Sequence, residues 1–139
     1  MYLKQADLFW GMSQSVIQAI TAKAVRLEYQ PGDVIFRAND PADSFYVLIK
    51  GKVRMDLKSS GRSVYTSDRV GEIFGWSALV RKGSYASTVI CEAPTTTLRF
   101  NCDAVCRLLE QDADSATIFY KQLARALGNR LLSAYNLLD

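Results

Sequence analysis

A mainly β, α+β fold, an eight-stranded jelly-roll-like β-barrel with one helix before it and two after it, is predicted by three observations. Apolar residues alternate with a period of two in short runs between Val25 and Phe100, and turn-forming residues separate those runs every ~8 to 12 positions. On either side of that region the apolar period becomes helical. The chain of 139 residues is 49% hydrophobic and 22% charged, enough to bury a core within one domain over 1–139 without disulfides or metal.

Residues 1–24 read as a helical lead-in. Ser13 is placed to cap a helix with apolar positions at Val16, Ile17, Ile20 and Ala24, and Leu8, Phe9 and Trp10 pack just before it. The barrel occupies 25–100. Val25, Leu27 and Tyr29 alternate against Arg26 and Glu28 and stop at the turn Pro31-Gly32-Asp33. Alternation resumes in Val34-Ile35-Phe36, Phe45 to Ile49, Val53-Met55-Leu57 and Val64-Tyr65, punctuated by Asn39-Asp40-Pro41, Lys50-Gly51 and Ser59-Ser60-Gly61. Ala86 to Cys91 and Thr95 to Phe100, split by Pro94, complete the barrel. Residues 101–139 are the C-terminal helices: Asn101 or Asp103 caps a short one ending near Glu110, and Asp112 caps a longer one running towards Leu138.

Composition excludes several function classes. Histidine is absent, which removes the commonest general base, transition-metal ligand and triad partner, so neither an enzyme nor a jelly-roll metalloenzyme is expected. The 17 basic and 14 acidic residues leave a net charge of +3, too mild and scattered to imply nucleic acid. Cys91, Cys102 and Cys106 form an odd set without a CxxC pair, which favours a reducing, cytoplasmic location. Cys102 and Cys106 share a helix face at i and i+4 but two thiols complete no metal site, and they read as small core residues. No window approaches the ~18 apolar residues of a membrane span, so no membrane association is expected.

The stretch from Gly71 through Phe74, Gly75, Trp76, Ser77 and Ala78 to Leu79 runs a glycine-flanked apolar pair into a short helix start, whose unpaired amides suit an anion. The next positive charges are Arg81 and Lys82, so an anion here has backbone donors but no obvious counterion. Arg81 and Lys82 are candidate anion contacts, although Arg81-Lys82-Gly83 reads first as an ordinary solvated turn. Ser77, Ser84, Ser87 and Thr88 add hydroxyl donors.

Three segments together resemble the cyclic nucleotide-binding domain family of bacterial regulators and kinases: Tyr29 to Val53, including Gln30-Pro31-Gly32-Asp33 and Lys50-Gly51-Lys52; Val70-Gly71-Glu72-Ile73-Phe74-Gly75; and Ala78-Leu79. The likeness covers nearly the whole chain. It implies that the first segment is structural, with Gly32 and Gly51 at turns and Phe45 to Ile49 a buried strand. It also implies that the second is a phosphate-binding cassette, in which backbone amides wrap a cyclic phosphate, a glutamate holds the ribose hydroxyl and an arginine pairs the phosphate. Carried over, Phe74 and Gly75 are in register, but the glutamate position holds Trp76 and the arginine position falls on Tyr85, or on Ser84 if the loop is shifted by one. Glu72 precedes Phe74-Gly75 and is given a structural role. A lost charge-assisted contact typically costs ~1.5 to 3 kcal/mol, so cyclic AMP and cyclic GMP are expected to bind weakly or not at all. Trp76 and Tyr85, with Ala86 and Ser87 beside them, either pack the emptied pocket or stack on a different aromatic ligand. No cofactor is expected; a nucleotide-like or other small ligand remains open.

Tyr120, Ala124, Leu127, Leu131, Ala134 and Leu138 are spaced as a heptad seam, with Phe119 and Leu123 as a second apolar flank. One face is expected to pack on the barrel and the other on a second copy, giving a homodimer. Lys121, Arg125 and Arg130 read as a solvated face. No helix-turn-helix lies within the sequence, so no DNA-binding domain and no direct nucleic-acid contact are expected. The expectation is a non-enzymatic ligand-sensing domain; the alternatives are a structural dimerisation module with a closed pocket, or the sensor part of a transcription regulator.

Overall fold

Strand β3 (Ser44–Lys50) carries an unbroken apolar run because both of its faces are buried. Phe45 and Val47 point into one core and Tyr46 and Leu48 into another, the side-chain alternation of any strand applied to two layers at once. The computed structural model in which this is seen describes residues 8–57, 60–80 and 83–138.

The other strands are β1 (Val25–Tyr29), β2 (Val34–Phe36), β4 (Val53–Leu57), β5 (Ser63–Ser67), β6 (Ile73–Phe74), β7 (Ser87–Cys91) and β8 (Thr95–Asn101). They form two antiparallel four-stranded sheets, ordered β1-β8-β3-β6 and β2-β7-β4-β5. The mainly β jelly-roll architecture expected from the alternating runs is therefore present. Seven strands lie where the period of two places them. The eighth, β6, is only two residues long, too short to show a period, and exists because Tyr46 and Val47 of β3 offer it a pairing edge.

Helix α1 (Gln14–Thr21) starts at Ser13, whose Oγ accepts the Val16 N–H at 3.4 Å, and it buries Ile17 and Ile20. Leu8 and Phe9 are buried beside it, but Trp10 is 61% exposed, not packed as expected. Phe9 takes the core place against Phe100 and Phe119, and the turn that follows, with Gly11 at φ +91°, leaves the adjacent indole outside. Asn101 is the cap of α2 (Cys102–Leu109), accepting from the Ala104 N–H at 3.0 Å. Asp112 caps α3 (Ala113–Asn136) through the Ser115 N–H at 3.0 Å. The three helices cover the outer face of β3 and β8, where Phe9, Phe45, Phe100 and Phe119 meet in one aromatic cluster. Cys102 and Cys106 do share a face, with sulfurs 3.9 Å apart. Among the described residues no helix is long and apolar enough to cross a membrane.

Two turn glycines differ in what surrounds them. Gly32 sits at φ +91° in open space, whereas Gly51 sits at φ +109° with a Cβ position 2.6 Å from both the Pro94 carbonyl oxygen and the Thr95 Cα. Gly32→Ala should cost only the backbone strain, about 1 to 2 kcal/mol. Gly51→Ala adds a clash with backbone that has nowhere to move, so it should cost at least about 2 kcal/mol more. Urea unfolding of the two variants side by side checks this; equal losses would show that the β3–β4 turn tolerates displacement.

Candidate functional site

The Gly71 to Leu79 stretch closes one end of the barrel interior. Gly71, at φ +93°, donates its N–H to the Leu48 carbonyl at 2.8 Å, and Leu48 donates to the Glu72 carbonyl at 2.9 Å. This anchors β6, where Phe74 is fully buried opposite Tyr46. Gly75 follows at φ +76°, with a Cβ position only 3.1 Å from Phe36 Cε2 and Tyr46 Cδ1, so a side chain there is excluded both by backbone and by space. The expected short helix is a single 3₁₀ turn over Trp76–Ala78, closed by the Leu79 N–H on the Trp76 carbonyl at 2.9 Å. Ser77, Ala78 and Leu79 are buried, and Trp76, half-buried, packs on the core beneath the helices.

Tyr85 comes to this same end from the far side of the loop. Its ring stacks on Phe36 with centroids 3.8 Å apart and planes at 19°, and its hydroxyl donates to the Ser44 carbonyl at 2.7 Å. Burial, reinforced by the neighbouring Tyr46, pushes the Tyr85 hydroxyl well above its ordinary range, so the group stays neutral and offers an anion no charge. Phe36, Tyr46, Phe74 and Tyr85 together fill the barrel interior here. The space left between Phe36, Met55 and Tyr85 on one side and Gly75, Trp76, Ser77, Ala86 and Ser87 on the other is about 30 Å³. That is one water's share of liquid volume, against the roughly 300 Å³ at which small-molecule pockets begin. Thr88 Oγ1 is already used as an acceptor by the Ala38 N–H at 3.0 Å. Arg81 and Lys82, the candidate anion contacts, lie outside the described residues.

Arg130 corrects the reading of the α3 basic residues as one solvated face. Its side chain is 16% exposed and reaches across to the barrel, donating from Nη2 to Glu72 Oε1 at 3.2 Å and to the Ile73 carbonyl at 3.1 Å. The guanidinium lies 4.1 Å from the Tyr65 ring centroid. Glu72, 4% exposed, also accepts from the Tyr65 hydroxyl and pairs with Arg69. Burial, then the hydrogen bond to Glu72, raises the Tyr65 hydroxyl above its ordinary value, which keeps it a donor to the carboxylate. Arg130 differs from Lys121 because it falls in register with Phe119, Leu123 and Ala126 on the barrel-facing side. That register was available in the sequence, but the charge of the residue masked it.

The heptad seam lies on a different face of α3. Phe119 and Leu123 are buried against the barrel, while Tyr120, Ala124, Leu131, Ala134 and Leu138 are exposed, Leu131 by 51% and Leu138 by 85%, and Leu127 is half-buried. The sequence-predicted residues thus form two groups: the cassette residues with Tyr85 at the barrel end, and the seam along α3.

Residues 26–112 match the family described as the cyclic nucleotide-binding domain. A CRP-like cAMP-activated global transcriptional regulator of Mycobacterium tuberculosis is 27% identical over 136 residues, which are 96% of this chain and 59% of that protein. A cGMP-dependent protein kinase of Drosophila melanogaster is 28% identical over 95 residues, 66% of this chain and 10% of the kinase. The chain thus spans about three fifths of the first relative and a tenth of the second. A solved structure from Geobacter metallireducens, provisionally named a cyclic nucleotide-binding protein, superposes with a TM-score of 0.81 over 93% of this chain and 95% of that one. At 23% identity this likeness is one of fold.

The Arg130 to Glu72 link predicts a measurable anchor. Removing one partner of a buried ion pair typically costs ~3 to 5 kcal/mol, and because Arg69 still pairs Glu72 the expected loss for Arg130→Ala is about 2 to 3 kcal/mol. Chemical denaturation checks it: a loss near zero would mean that α3 is held by Phe119 and Leu123 alone.

Proposed function

The chain belongs to the cyclic nucleotide-binding domain family, and we propose that it is a regulatory member whose own nucleotide pocket is closed. The reading rests on one observation above the others, the roughly 30 Å³ left beside Tyr85 and Gly75. In the family's pattern a glutamate holds the ribose and an arginine the phosphate; at the matching positions this chain has Trp76 and Tyr85. Tyr85 does more than omit a charge, because its ring occupies the interior by stacking on Phe36. A cyclic nucleotide would have to displace that ring, strip the Ser44 carbonyl of its donor and find no counterion among the described residues lining the gap. Of the two roles left open for Tyr85, packing the emptied pocket is therefore preferred over stacking on a ligand.

The output element in this reading is α3. Its inner face is tied to the barrel by Phe119, Leu123 and Arg130, and its outer face presents the seam from Tyr120 to Leu138, which suits a second copy of the chain. The domain acts without catalysis, as a sensor or partner-binding unit in the cytoplasm. The curated regulator of which it matches three fifths supports a second reading, the sensor part of a longer transcription regulator.

Calorimetry with cyclic AMP and cyclic GMP should give no measurable heat for the native chain, and micromolar binding would overturn the closed pocket. In the Trp76→Glu, Tyr85→Arg double variant, the two charge-assisted contacts together should improve affinity by at least about a hundredfold over the native chain if the variant retains its fold by circular dichroism. Solution mass by light scattering should be that of a dimer, and Leu131→Asp should halve it. A native chain that is monomeric at high concentration would remove the seam from the proposal.

A further inference from the structure

We propose that Cys102 and Cys106 form a two-sulfur chelate for a soft, thiolate-preferring metal ion, Cu(I), in the wall of a cleft bounded by the cassette end, α2 and α3. The cleft has a volume of about 470 Å³ and shares no lining residue with the gap beside Tyr85. Both cysteines line it, together with Ala78, Leu79 and Tyr120. Nothing in the site depends on whether the barrel interior is closed.

Geometry decides between the chemistries open to two neighbouring thiols. Their sulfurs are 3.9 Å apart. A disulfide needs sulfurs at about 2.05 Å and Cβ atoms about 3.5 to 4.5 Å apart, whereas residues at i and i+4 on a helix hold their Cβ atoms roughly 5 to 6 Å apart. Oxidation would therefore unwind the first turn of α2 and break its Asn101 cap. A metal requires no such movement. With metal–sulfur bonds of about 2.3 Å, two sulfurs on a tetrahedral or trigonal ion stand ~3.8 to 4.0 Å apart, which is the spacing already present.

The type of ion follows from what else can coordinate. Asp103 and Glu110 also line the cleft, yet among the described residues no three histidine, cysteine, aspartate or glutamate side chains come together as a metal-holding group. Zinc takes four protein ligands in structural sites and three in catalytic ones. Cu(I) is soft, is selected by thiolates and is stable with two or three ligands, so two sulfurs and one small donor from the cleft complete it. Two copper–sulfur bonds form, the two thiol protons pass to water, and no electron is transferred. The negative complex lies at the first turn of α2, where the helix dipole favours it.

Cys102 is buried and donates from Sγ to the Ala78 carbonyl at 3.2 Å, while Cys106 is half-buried with the Tyr120 hydroxyl 3.9 Å from its sulfur. Two small core residues, the plainer account, fits Cys102 but does not explain why a second thiol stands in a cleft wall beside it. Metal binding takes the proton that Cys102 gives to Ala78. Occupancy would thus loosen the 3₁₀ turn of the cassette while fixing the start of α2, an input to the domain that needs no nucleotide.

The test is anaerobic titration of Cu(I) into the full chain in competition with a chromogenic Cu(I) chelator, with Zn(II) as the second ion. Expected are one Cu(I) per chain, a thiolate-to-copper ultraviolet absorption, protection of Cys106 from alkylation and a raised melting temperature. Cys106→Ser should weaken binding at least about a hundredfold, since even partners that only hydrogen-bond to a metal ligand contribute about 10- to 100-fold. Cys102→Ala should do the same, and Cys91→Ser, whose sulfur lies in the other core, should leave affinity unchanged, with circular dichroism checking the fold of each. Cys106 is the less buried of the pair, so its variant decides if Cys102→Ala unfolds. Failure to hold Cu(I) against the chelator, undiminished binding in Cys106→Ser, or tighter retention of Zn(II) than of Cu(I) overturns the assignment. Each of those results leaves the closed pocket standing, because that is read separately by cyclic AMP binding.

Discussion

The two-faced burial of β3 is the constraint on which the rest of the molecule depends. Phe45 and Val47 create the surface on which all three helices sit, and Tyr46 and Leu48 create the interior of the barrel. The same strand provides the pairing edge for β6, the Leu48 backbone groups that seat Gly71 and Glu72, and the Ser44 carbonyl that receives the Tyr85 hydroxyl. A strand buried on both sides cannot slip by one residue without exchanging its two apolar sets, so its register is strongly specified. The candidate site inherits that rigidity.

This explains why the barrel interior is packed without a ligand. In a barrel whose interior held a nucleotide, the ligand would supply part of the packing. Here Phe36, Tyr46, Phe74 and Tyr85 supply it among themselves, with Tyr85 stacked 3.8 Å from Phe36. A filled interior needs no ligand to reach native packing density. The family membership of the chain therefore identifies its architecture, while what a member binds is a matter of its own side chains.

Helix α3 divides its circumference between three tasks. Phe119 and Leu123 dock it by apolar burial, Arg130 ties it to Glu72 beside the cassette strand, and the line from Tyr120 to Leu138 faces outward. Because the Arg130 contact includes the Ile73 carbonyl, the position of α3 and the geometry of the cassette are joined by one side chain.

Much of this was determined by the sequence alone. Alternation, turn glycines and the caps Ser13, Asp112 and one of Asn101 and Asp103 are local signals whose physics acts within a few residues, and they placed seven strands and three helices. The sequence also offered, through the family resemblance, the reading that Trp76 stands at a glutamate position and Tyr85 or Ser84 at an arginine position. What only tertiary structure decided are matters of distance between residues remote in the chain. These are the existence of β6, which depends on the β3 edge; the exposure of Trp10, which depends on Phe9 taking the core; the meeting of Tyr85 with Phe36; and the burial of Arg130 against Glu72, 58 positions away. A guanidinium reads as solvated until a buried carboxylate is brought to it, and a pocket reads as open until its volume is known, because charge pairing and packing are properties of the folded neighbourhood and not of the chain.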